Sequence, residues 1–232
     1  MKNKIYFWSL LVVIAQVSCT KDLGEYIQVR VESPAFIQLR NDAAVDIILA
    51  QGNGFSIDFE GNELIFEDLE FRVINNKLII EQHGHYWSSR KSRVYITVPD
   101  LTLMEITSSG DIYGDNRFRI KGDLELRTAG SGDFDLNLDV SELYTTLNGS
   151  GNLFLKGYAG FHELDLDGSG EVRAYSLNTR QTRITHYGSG SAEVYAQNSL
   201  YARLRGSGNV YFIGYPVVDY FVSGSGSLID AN

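Results

Sequence analysis

Residues 143–155 read Leu-Tyr-Thr-Thr-Leu-Asn-Gly-Ser-Gly-Asn-Leu-Phe-Leu. Inward-type residues alternate with polar ones up to the Gly149-Ser150-Gly151 triplet, and the alternation resumes beyond it. A period of two describes a half-buried strand, so the stretch reads as strand, corner, strand. The unit recurs along the chain. Further triplets stand at Ser108-Ser109-Gly110, Gly130-Ser131-Gly132, Gly168-Ser169-Gly170, Gly188-Ser189-Gly190, Gly206-Ser207-Gly208 and Gly224-Ser225-Gly226, with middle serines 22, 19, 19, 20, 18 and 18 residues apart. They hold 13 of the 23 glycines, which separates them from a flexible glycine-rich linker.

Two, four and six positions before each triplet lie slots of one inward face. They read Thr102/Met104/Ile106, Leu124/Leu126/Thr128, Leu143/Thr145/Leu147, His162/Leu164/Leu166, Thr182/Ile184/His186, Leu200/Ala202/Leu204 and Val218/Tyr220/Val222. After the triplets come Ile112/Gly114, Phe134/Leu136, Leu153/Leu155, Val172/Ala174, Ala192/Val194, Val210/Phe212 and Leu228/Asp230. Return loops such as Tyr158-Ala159-Gly160 and Leu177-Asn178-Thr179 would close each unit. A unit this small cannot bury its own apolar face, whereas stacked units share one core. The expectation is an all-β, single-domain β-solenoid of about seven regular, parallel coils, wound right-handed as parallel crossovers prefer. The triplet glycines are expected to supply positive φ and close backbone approach, with the stacked serines bonding the corner backbone.

Residues 26–100 lack the triplet but remain strand-like, over Ile27 to Val31, Ala35 to Leu39, Val45 to Leu49, Phe55 to Phe59, Phe71 to Ile74, Leu78 to Glu81 and Val94 to Val98. Turn signals at Gly52-Asn53-Gly54, Gly61-Asn62 and Asn75-Asn76 divide them. This region is expected to form irregular first coils and a cap, with residues 101–232 as the repeat coils of the same domain.

At the N-terminus, Lys2 and Lys4 precede an apolar run from Ile5 to Ala15, too short to span a bilayer comfortably. Cys19 follows in Ala15-Gln16-Val17-Ser18-Cys19. The arrangement resembles a bacterial lipoprotein signal, which implies cleavage after residue 18, lipidation of Cys19 and a tether over residues 19–25. Gln16 stands where that pattern usually has Leu. The lone cysteine precludes a disulfide within the chain. The chain carries 20 basic and 29 acidic residues, and removal of two lysines with the signal leaves 18 against 29. That balance and the lack of a basic stripe argue against nucleic acid as a partner.

The segments Phe36-Ile37-Gln38-Leu39, Val45 to Gly52, Asn76 to Ile80 and Val94 to Pro99 occur in order, followed by serial Gly-Ser-Gly-Asp/Asn corners and Phe212-Ile213-Gly214-Tyr215-Pro216. This order resembles the head-GIN-domain family of auto-transporter adhesins over most of the chain. The resemblance implies a secreted or lipid-anchored β-helical protein, and says little about mechanism.

Three chemistries compete with a structural reading. Asp111, Asp133, Asn152, Glu171, Ser191, Asn209 and Ser227 follow the triplets. Calcium needs several converging hard oxygens, and an intermittent carboxylate fits turn polarity better. A glycosidase needs two carboxyls at a set separation. Among the outward acids Glu105, Asp135, Asp165, Asp167 and Glu193, only Asp165 and Asp167 share a face in one coil, and Arg173 with Glu193 reads as a surface ion pair. His83 and His85 stand near Trp87 and are not expected to find a nearby cysteine or carboxylate that completes a metal site, and His162 and His186 fall in core slots. No catalytic residue, metal or cofactor is assigned.

The outward aromatics Tyr113, Phe154, Tyr187, Tyr211 and Phe221, with Trp87, are the candidate ligand-binding residues, suited to stacking sugar rings or meeting protein. The function read from the sequence is a non-enzymatic envelope or surface binding module. It would sit outside the cytoplasm, held at the outer membrane by its lipid, and meet glycan or a surface protein. The alternatives are a glycan-processing β-helix enzyme and a structural envelope lipoprotein.

Overall fold

The computed structural model describes residues 24–84 and 91–232. Strands β1 (Tyr26–Val31), β2 (Gln38–Asp42), β3 (Asp46–Gln51) and β4 (Ser56–Asn62) lead into a short helix, α1 (Glu63–Glu67). Strands β5 (Leu69–Ile74), β6 (Lys77–Gln82), β7 (Arg93–Val98) and β8 (Leu103–Ile106) follow. Five long strands then carry the repeat: β9 (Ile112–Thr128), β10 (Phe134–Leu147), β11 (Leu153–Leu166), β12 (Val172–His186) and β13 (Ala192–Leu204). The chain ends with β14 (Val210–Ile213), β15 (Val217–Val222) and β16 (Leu228–Asp230).

The result is a β-solenoid of about seven parallel coils. Each long strand leaves a triplet, crosses one face, bends, and returns along a second face to the next triplet. Neighbours pair in parallel and in register, so Leu143 lies between Leu124 and His162, and Leu153 between Phe134 and Val172. The expected return loops are therefore strand. Residues 158–160 lie inside β11 and 177–179 inside β12, with Ala159, Leu177 and Thr179 buried. Register shifts between Phe154 and Gly157, and between Ala174 and Asn178, absorb the bend. Keeping the bend in the ladder leaves fewer backbone groups without partners.

The corners correct the expected role of glycine. No triplet glycine has positive φ; the glycines that do are Gly24, Gly61, Gly157 and Gly214. The constraint is space. A Cβ on Gly151 would overlap the carbonyl oxygen of Gly132, one on Gly170 that of Gly151, and one on Gly190 that of Gly170. Each corner lies backbone on backbone over the last. The middle-serine amides continue the ladder: Ser150 N donates to Gly130 O at 3.0 Å, Ser169 N to Gly149 O at 3.1 Å and Ser207 N to Gly188 O at 3.0 Å. The serine hydroxyls face solvent, and Ser169 Oγ bonds Ser150 Oγ at 3.2 Å rather than backbone.

The inward slots close over one core running from Phe36 to Phe212. A fully buried Leu or Phe in such a core contributes roughly 1.5–3 kcal/mol by burial. His162 and His186 are fully buried within it. His162 Nε2 pairs with Thr145 Oγ1 of the preceding coil at 3.1 Å, and His186 Nε2 meets Gly190 O at 2.7 Å. Burial pushes the His162 pKa from 6.5 down to about 4. Three expected inward slots are exposed, and Val218, Val222 and Leu228 of the last coil are only half-buried. Thr102 stands just before β8, and Tyr220 and Asp230 belong to the last coil, over which no further coil lies among the described residues.

The front region stacks out of sequence order. β2 pairs with β6 on one side and β8 on the other, and β3 with β7 and β9, so residues 38–51 form the coil next to the repeat. Beyond β7 lie β4 and β1, and beyond β6 lies β5, all antiparallel. Strand β2 begins three residues later than expected, because Phe36 is spent on the core, 1% exposed and 5.7 Å from the Phe55 ring. Gly61-Asn62 is the end of β4 rather than a turn. Asn62 caps α1, accepting from Leu64 N at 2.9 Å.

Candidate binding faces

The first face, just after the corners, carries an outward column in which pairing stacks Tyr113, Asp135, Phe154, Arg173, Glu193 and Tyr211 one coil apart. Tyr113, Phe154 and Tyr211 thus share a face but are separated by charged residues. Tyr113 donates to Asp111 Oδ2 at 2.6 Å, and this bond to a carboxylate holds its phenol proton far above the ordinary range. The Arg173 guanidinium lies 5.5 Å from the Phe154 ring centroid. Its ion-pair partner is Glu171, two residues back on the same coil at 2.8 Å, and not Glu193, which pairs with it only through the strand register. Tyr211, Arg173, Glu193, Ser191 and Glu171 line a shallow cleft.

The other candidate aromatics lie elsewhere. Tyr187 sits at the corner, half exposed, under the Arg205 guanidinium at 5.5 Å. Phe221 is on the second face in the last coil, stacked on Arg203. Trp87, His85 and Cys19 fall outside the described residues.

The second face holds a denser array that the sequence reading passed over. Its outward column is Glu125, Tyr144, Glu163, Arg183, Tyr201 and Asp219. Tyr144 packs edge-on to Phe161 at 6.2 Å. Arg183 lies 5.9 Å from both the Phe161 and Tyr201 rings and 3.7 Å from Glu163. Arg203, on the same coil, also lies over the Tyr201 ring at 5.3 Å. Tyr144 also donates to Glu142, which raises its pKa to about 12. Three aromatic rings and two guanidiniums thus line four adjacent coils. The signal was available: aligning the outward slots before each triplet brings Tyr144, Arg183 and Tyr201 into one column. Phe161, which is offset from that column, needed the structure.

Four of the seven polar residues that follow the triplets bond the backbone of the next corner. Asp111 Oδ1 accepts from Asp133 N at 2.8 Å, Asp133 Oδ1 from Asn152 N at 2.6 Å, and Asn152 Oδ1 from Glu171 N at 3.0 Å. Asn209 Oδ1 accepts from Ser227 N at 3.0 Å. Each short side chain satisfies the corner amide of the next coil, an occupation of its oxygen that carboxylate and amide serve equally. This explains why Asp and Asn interchange here. The outward acids are dispersed: Glu105 pairs with Lys77 at 3.3 Å and Asp135 with Lys156 at 3.4 Å.

His83 does have carboxylates beside it, contrary to the sequence reading. Glu70 and Glu81 face each other across the β5–β6 pair, and one ligand atom from each, with one from His83, lie within 4.8 Å of one another. His83 Nε2 is 2.8 Å from Glu70 Oε2, a bond that lowers the Glu70 pKa. Arg72 bridges both carboxylates. The group therefore serves as an ion-pair network holding two like charges together across the hairpin.

Known structures share this architecture. A putative adhesin from Bacteroides fragilis is 21% identical, with a TM-score of 0.83 over 88% of this chain and 96% of that one. A putative lipid binding protein from Parabacteroides distasonis is 18% identical, with a TM-score of 0.73 over 90% and 98%. A putative adhesin from the same species is 18% identical, with a TM-score of 0.71 over 88% and 96%. At these identities the likeness is one of fold. No curated protein matches the chain. Residues 35–216, from the buried Phe36 through the glycine corners to Pro216, match the family described as "Putative auto-transporter adhesin, head GIN domain". The chain belongs to that family of adhesins, proteins of the cell surface or exterior.

Proposed function

We propose that the protein is a non-enzymatic adhesive module that meets glycan or a surface protein with its second lateral face. The observation that carries this reading is the array of Tyr144, Phe161, Arg183, Tyr201 and Arg203 across four coils, with Glu142 and Glu163 beside it. Rings offer stacking surfaces to sugars, and guanidiniums and carboxylates offer directed hydrogen bonds. The array runs across four successive coils, as contact with an extended polymer requires. Tyr113, Phe154 and Tyr211 extend the same chemistry around the first face, Phe221 continues the second face beside Arg203, Tyr187 adds a ring at the corner, and Trp87 is a further candidate contact. Lipidation of Cys19 would hold the solenoid at the outer membrane with both faces free.

The test is binding of residues 20–232 to a glycan array and to intact cell surfaces. Arg183→Ala with Tyr201→Ala should weaken binding about tenfold or more. No binding on either platform, or binding unmoved by the double variant, would refute the assignment of this face. Turnover of a bound glycan would favour an enzyme instead. Anchoring is tested separately, by palmitate incorporation into the full chain and its loss in Cys19→Ser.

A further inference from the structure

The two ends of the solenoid are finished differently. At the amino-terminal end the outermost strands, β1 and β5, are antiparallel additions to the parallel stack. Both carry charge: Arg30 pairs with Asp58 at 2.8 Å, and Arg72 with Glu70 and Glu81. Charged side chains on an edge discourage addition of another strand. At the other end, β15 pairs with β13 and β16 with β14, and their outer edges meet no strand among the described residues. Val218, Tyr220 and Val222 stand on columns that are buried one coil earlier at Leu200, Ala202 and Leu204. Here Tyr220 is 60% exposed, and Tyr215, Val217 and Phe221 are 90%, 79% and 57% exposed. The core's columns run to this end and stop uncovered.

We propose that a second copy of the chain covers this end, docking tail to tail about a two-fold axis. Such an axis through Tyr220 runs β15 antiparallel to its copy. A register that keeps inward residues facing inward must be even. Centred on Tyr220, it sets Val218 against the partner's Val222 and Asp219 against the partner's Phe221. No acid in β15 faces another acid, and the two cores become continuous. The free backbone groups of the edge gain partners. The contact is isologous and stops at two copies. Head-to-tail stacking would instead set this apolar edge against the charged strands β1 and β5. The acidic chain opposes the contact at long range, so salt should strengthen it.

Residues 20–232 contain every element described here and suit a test by light scattering with size exclusion over a range of concentrations. A dimer is expected that dissociates on dilution and tightens with added salt, with β15 amides protected from hydrogen exchange only in the dimer. Tyr220→Lys should shift the midpoint of dimerisation upward about tenfold or more without lowering the melting temperature of the monomer. Val217→Lys, at an exposed outward position, provides a second variant should the first fold poorly. A monomer at every concentration, or a dimer indifferent to both variants, overturns the proposal.

Discussion

The repeat coils and the first coil build the same corner by different means. In the repeat, glycine backbones rest directly on one another, and the geometry propagates because each coil presents what the next one needs. The first coil has Asp42-Ala43-Ala44-Val45 at that place, and one buried side chain does the work. Asn41 is fully buried; its Nδ2 donates to Val45 O at 3.1 Å and to Gly110 O at 3.3 Å, and its Oδ1 accepts from Ala43 N at 3.2 Å. Ser108 Oγ adds a bond to Ala43 O at 2.6 Å. A repeating corner is a problem of volume. A boundary corner is a problem of satisfying polar groups that have no matching coil.

The comparison breaks most visibly at Gly170. Gly170→Val puts branched carbon where the Gly151 carbonyl lies, and should cost about 3 kcal/mol or more, a fall of roughly 10 °C in melting temperature. A melt within 2–3 °C of the parent, about the effect of 1 kcal/mol in a domain of this size, would show that the coils part easily. Asn41→Leu keeps the volume and removes the polar bridge, leaving buried backbone groups unpaired at about 1–3 kcal/mol. If Asn41→Leu proved neutral, the first corner would owe its shape to packing alone.

His162 sharpens the contrast in a third way, through pH. Its pKa is near 4 in the fold and 6.5 when free, so the unfolded chain takes up the proton first. The stability this group supports is intact above pH 6.5 and is lost as pH falls through 4. His162→Leu should flatten the decline in melting temperature between those values. An unchanged slope would assign that decline to other groups. The smallest effect is expected at the corner acids. Asp133→Asn keeps an acceptor for Asn152 N and should move the melt by less than about 0.5 kcal/mol, with or without a chelator. A large chelator-dependent shift would reopen calcium.

Most of the scaffold was legible because repetition averages out local ambiguity. Columns such as Leu126, Thr145, Leu164, Ile184 and Ala202 announce a shared interior even where one member is polar. Strand boundaries in the front region were legible to within a few residues, but their stacking order was not. Nothing local says that residues 38–51 lie between strands β6 and β7 and the first repeat coil. The candidate site was only partly legible: the outward column position of Phe154 and Tyr211 could be read from the alternation, while the Tyr144–Phe161–Arg183–Tyr201 array could not. Single-residue exposure predicts which rings face out, but ring-to-guanidinium contacts depend on neighbours one coil away.

By itself, the sequence determined the repeat, its inward face and the glycine corners, since these follow from period and residue volume. Tertiary structure alone decided why those glycines are needed, which coil closes the front of the repeat, and where outward rings and cations meet. Those depend on contacts between residues 18–69 positions apart, where backbone overlap and buried hydrogen bonds override local preference.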